Sequence, residues 1–78
     1  MPHVVVKLAP GNTEEQKNRF AEKIVQDMID LLGKKEENIS VALEEVDPRD
    51  WVQKVYTPEI QGKWETLYKK PGYNPFEK

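Results

Sequence analysis

The sequence predicts an α/β protein: a βαβ unit with parallel strands, short C-terminal helices after it, and a sheet completed by a second subunit. Three observations carry this. A β-branched run opens the chain at His3-Val4-Val5-Val6. An amphipathic stretch of about five helical turns follows. A second apolar run, Ile39-Ser40-Val41-Ala42-Leu43, comes after it. Strand, long crossover helix and strand in this order call for parallel pairing with a right-handed connection. Two strands make too small a sheet to stand alone, and a second copy of the chain is the economical extension. The 78 residues are read as one domain, 1–78.

Residues 2–8 read as the first strand. Val4, Val6 and Leu8 alternate with His3, Val5 and Lys7. Val5 makes the run apolar on both faces, which suits a strand covered on both sides. Ala9-Pro10-Gly11-Asn12 is a turn. Thr13, followed three residues later by Gln16, has the spacing of a capping box, and Glu14 and Glu15 suit the positive end of a helix dipole. The helix runs to about Leu32. Phe20, Ile24, Met28 and Leu31 recur at helical spacing, and Gly33 stands where a left-handed cap belongs. Lys34 to Asn38 is a polar connection. The second strand is Ile39–Val46. Asp47-Pro48 reads as an N-cap with proline at the first helical position. Thr57-Pro58-Glu59 repeats that signal and predicts a further helix, with Ile60, Trp64, Leu67 and Tyr68 on one stripe facing a core or a subunit interface. The tail Asn74–Lys78 is expected to be loose or docked on a neighbour.

Composition excludes several functions. With no cysteine there is no disulfide, thiolate nucleophile or thiolate metal site. A net charge of −2 argues against nucleic acid and anionic membrane surfaces as partners. No run approaches a membrane span, and the start lacks a signal peptide's apolar region, so the protein is expected to be cytoplasmic. A core this small favours oligomerisation.

The chain is also poor in familiar catalytic sets. His3 is the single histidine and Ser40 the single serine. The glycines are scattered, and the carboxylates do not pair. His3 reads most simply as a solvated or hydrogen-bonded side chain, and Lys69-Lys70 as the cationic end of a helix. Pro2 remains. If Met1 is removed, its nitrogen changes from a non-basic amide to a secondary amine at the head of an apolar strand. Such an amine is a candidate general base.

Met1-Pro2-His3, Ile39-Ser40-Val41-Ala42-Leu43, Trp51 and Lys69-Lys70-Pro71-Gly72-Tyr73 together resemble the 4-oxalocrotonate tautomerase family, within it the small dimeric phenylpyruvate tautomerase-like branch. The resemblance covers nearly the whole chain. It implies a cofactor-independent homodimeric isomerase in which Pro2, freed of Met1, moves a proton between the keto and enol forms of a 2-keto acid. It further implies that Asn12 and Ser40 stand where the prototype has two substrate-binding arginines, and that Trp51 stands for the aromatic wall. Losing both cations disfavours a diacid and favours a phenylpyruvate-like acid. Lys69, Lys70 or Arg49 are candidate partners for its carboxylate, with Lys69 placed among the substrate-binding residues. Two other readings fit the same fold: a Pro2-dependent dehalogenase or hydratase of unsaturated acids, and a non-catalytic binding module.

Overall fold

The structure, a computed structural model, describes residues 1–77. It divides into two compact units, Met1–Glu45 and Val46–Lys78.

The first unit is the expected βαβ. Strand β1 spans His3–Leu8 and strand β2 spans Ser40–Glu45. They pair in parallel, with His3 opposite Ser40, Val5 opposite Ala42 and Lys7 opposite Glu44. Because side chains alternate between faces, these three rungs share one face of the sheet. A 4.0 Å contact between Lys7 Nζ and Glu44 Oε2 agrees with that register. Val4–Val41, Val6–Leu43 and Leu8–Glu45 lie on the other face. That face is the helix side, since Glu45 meets Lys17 of the helix at 3.6 Å. Val4, Val6 and Leu8 are half-buried, whereas Val5 is 43% exposed in the single chain. The double-sided cover expected for β1 is thus present on one side only.

Helix α1 spans Glu14–Leu32. Thr13 and Gln16 form the full capping box: Gln16 N–H donates to Thr13 Oγ1 at 3.1 Å, and Thr13 N–H donates to Gln16 Oε1 at 2.9 Å. Gly33, at φ 66°, ends the helix in the left-handed region, and the N–H groups of Gly33 and Lys34 cap the Ile29 and Met28 carbonyls. The half-buried side is Ala21, Ile24, Val25, Met28 and Ile29. Phe20, Leu31 and Leu32 are exposed, although Phe20 and Leu31 share the helical spacing. One short 3₁₀ turn, Glu36–Asn38, leads into β2.

The second unit departs from expectation. Asp47 does cap Pro48–Asp50, accepting from Arg49 N–H at 2.9 Å. The chain then forms a π-helix, Val52–Gln61, with Pro58 inside it. No new helix starts at Thr57. An α-helical proline meets the carbonyl four residues back. A register five residues back, as in Gly62 N–H to the Thr57 carbonyl at 2.9 Å, moves that carbonyl from under the ring. Gly62 closes the element because a Cβ there would lie 2.7 Å from the Pro58 carbonyl oxygen. Only a 3₁₀ turn, Trp64–Thr66, follows, so the predicted Ile60–Tyr68 stripe does not form, and Tyr68 is fully exposed. The tail packs on its own chain as far as it is described, and Lys78, part of the same expectation, lies outside the described residues. Tyr73 and Phe76 stack on Tyr56, with ring centroids 5.6 and 5.8 Å apart.

Val55 and Tyr56, at 5% and 4% exposure, are the buried apolar residues among those described. No helix among the described residues is long and apolar enough to cross a membrane.

Candidate active site

The head of the sheet holds Pro2, His3 and Ser40. Pro2 is half-buried and precedes β1, while Met1 is fully exposed. The Pro2 carbonyl accepts the Ser40 N–H at 3.2 Å, so the start of β2 pins the start of β1. Ser40 Oγ lies 2.6 Å from His3 Nδ1 across the first rung. The N–H and the hydroxyl of Ser40 therefore meet Pro2 and His3, respectively. The sequence reads His3 as a solvated or hydrogen-bonded side chain, and the structure makes it the hydrogen-bonded partner of Ser40. The signal that joins them is the parallel register, which no motif spells out.

Asn12 is not part of this cluster within one chain. It follows β1 at the far end, separated from Pro2 by the strand's length, roughly 20 Å at about 3.3 Å per residue. There its Nδ2 donates to Gln16 Oε1 at 3.3 Å. With Leu8, Gln16, Lys17 and Phe20 it lines a cavity of about 230 Å³. Lys17 is the cation of that cavity. The hydrogen bond that it donates to Glu14 chiefly holds its ammonium above the usual lysine range, aided by Glu45.

In the second unit, Trp51 Nε1 donates to the Tyr73 hydroxyl at 2.9 Å. Trp51, Tyr73, Tyr56 and Phe76 are thereby linked into one aromatic cluster. Tyr73 was read only as part of the chain's ending, and its hydroxyl, having accepted from Trp51, keeps its own hydrogen to donate. The proposed cations have local partners. Lys69 Nζ donates to the Lys70 carbonyl at 3.4 Å. Lys70 Nζ sits 5.7 Å from the centre of the Trp64 ring. Arg49 grips Asp47, with Nη2 to Oδ2 at 2.7 Å. No cluster of three or more histidine, aspartate or glutamate side chains placed to hold a metal occurs among the described residues.

The parallel βαβ unit makes this an α/β protein, and comparison with known proteins gives its family. A family model described as "Tautomerase enzyme" matches residues 2–58. A protein named probable tautomerase from Xylella fastidiosa (strain 9a5c) is 42% identical over 73 residues, 94% of this chain and 89% of that one. Tautomerase PptA of Klebsiella pneumoniae (strain 342) is 44% identical over 75 residues, 95% of this chain and 99% of its own. The crystal structure of YwhB, a homologue of 4-oxalocrotonate tautomerase, superposes with a TM-score of 0.57 at 39% identity, covering 59% of this chain and 75% of that one. The chain therefore belongs to the tautomerase family, and its named relatives are tautomerases, which are isomerases.

Proposed function

We propose that the chain is a cytoplasmic, homodimeric, cofactor-independent tautomerase that interconverts the enol and keto forms of a phenylpyruvate-like 2-keto acid. Pro2, after removal of Met1, is the general acid and base. The observation that carries this is the anchoring of Pro2: its carbonyl is hydrogen-bonded to Ser40 N–H, so the adjoining nitrogen has a fixed place at the head of the sheet. In ketonisation the amine takes the enol hydroxyl proton, the O–H pair becomes the carbonyl π bond, and the alkene pair accepts the proton back at C3. An ordinary α-amino group titrates at about 7.7–8.0. That range lies close enough to neutrality for such an amine to work as a base.

Asn12 can serve the same substrate only from a second copy. A two-fold axis that pairs β1 with β1 runs the strands antiparallel and brings Asn12 of one copy to Pro2 of the other. The same pairing extends the two-stranded sheet to four strands.

Replacing Pro2 with alanine, or keeping Met1 attached as verified by intact mass, is expected to lower kcat/KM for phenylenolpyruvate ketonisation by about 100-fold or more. Undiminished turnover in both proteins rules the assignment out. Product analysis with halogenated and unsaturated acids separates tautomerisation from dehalogenation and hydration.

A further inference from the structure

We propose that His3 and Ser40 form one substrate-binding unit that holds the carboxylate of a monocarboxylic 2-keto acid, with His3 in the part of the absent arginines. This rests on Pro2 being the base. Three observations support it. The two side chains lie opposite each other on the same face of the first rung and are 2.6 Å apart. Ser40 N–H is already engaged by the Pro2 carbonyl, which leaves the hydroxyl as its only group for a ligand. His3 is exposed, and its Nε2 has no partner among the described residues.

The chemistry turns on a single hydrogen. When Nδ1 is bare, the Ser40 hydroxyl donates to it, and Oγ can only accept, which repels an anion. When Nδ1 carries hydrogen it donates to Oγ, and the hydroxyl hydrogen is released toward a ligand oxygen. A protonated ring adds positive charge behind that hydroxyl and offers Nε2–H as a second donor, so the pair becomes a charge-assisted anion site. Its reach fits the reaction. From the Pro2 nitrogen through its own carbonyl to Ser40 N is at most about 7.4 Å by bond lengths and one hydrogen bond, and the Ser40 hydroxyl is three bonds further on. In a 2-keto acid the carboxylate carbon is two carbons from the one that takes the proton, so both ends of one substrate lie within this span. Among the strand residues of that sheet face the charged groups are Lys7 and Glu44, 4.0 Å apart and four rungs along the ladder.

The test compares an acid with its neutral counterpart. His3→Phe and Ser40→Ala are each expected to raise KM for phenylenolpyruvate by about 10- to 100-fold, the range for a hydrogen bond to a charged group. The kcat should change little, and KM for the methyl ester should not move. His3→Asn, which can still hydrogen-bond Ser40 without charge, should recover part of the loss. An unchanged KM for the acid in His3→Phe, or an equal rise for acid and ester, overturns the proposal. If His3→Phe does not fold, Ser40→Ala and His3→Asn decide by the same acid-to-ester ratio. Failure of the Pro2 assignment is separable, because it leaves Pro2→Ala active whatever the KM pattern at His3.

Discussion

At the residue scale, local charge pairs set the pH behaviour more visibly than buried groups do. Asp47 is the clearest case. The Arg49 guanidinium, helped by the Arg49 backbone N–H, holds its carboxyl below the usual carboxylate range. A carboxylate with a depressed folded pKa contributes stability above its unfolded pKa of about 3.9 and loses it as pH falls through the lower folded value. Asparagine keeps the N-cap function but not the charge. In urea titrations Asp47→Asn should therefore trail the wild type by a small, constant margin from pH 7 to pH 5. The margin should vanish in strongly acidic solution and shrink in high salt, because the pair is exposed. A margin that grows on acidification contradicts this account.

At the element scale, two glycines end helices for different reasons, and they predict different costs. Gly33 has a left-handed backbone with open space where a Cβ would go. Alanine there costs only conformational strain, about 1 kcal/mol. Gly62 has ordinary right-handed angles, but its Cβ would press on the Pro58 and Thr57 carbonyl oxygens at 2.7 and 3.0 Å. Gly62→Ala should cost about 1–3 kcal/mol through displaced backbone, and chemical denaturation of both variants measures the contrast. Equal costs would mean the π-helix end yields without resistance. The same elements show what the sequence makes legible. Thr13, Gln16 and Gly33 act through neighbours a few residues away, so their spacing alone predicts helix α1. The strand pairing follows from crossover length. The π-helix was not readable, because Thr57-Pro58-Glu59 has the form of a helix start and nothing local says the preceding turn has already widened. Pro2 and Ser40 could be nominated from the chain, but the hydrogen bond that joins His3 to Ser40 spans 37 positions and depends on register.

At the scale of the whole molecule, the single chain is short of buried surface. Helix α1 contains no buried residue, and Val5, Phe20, Leu31 and Leu32 remain open. Among the described residues the sheet has two strands, so each keeps one unpaired edge. If the dimer both completes the sheet and brings Asn12 to Pro2, activity and assembly must fail together. Specific activity should fall on dilution over the range in which sedimentation shows the dimer dissociating. A fully active monomer would contradict the shared site.

The ladder between β1 and β2 also bears on how such an enzyme changes over evolutionary time. The proposed base is a main-chain nitrogen, and backbone pairing fixes its place. The groups proposed to choose the substrate are side chains: His3, Ser40 and Asn12. A lineage can therefore exchange these one at a time, exploring new acids while the proton-transferring atom stays put. Invention at the rim and permanence at the reacting centre are separated by the division between side chain and backbone.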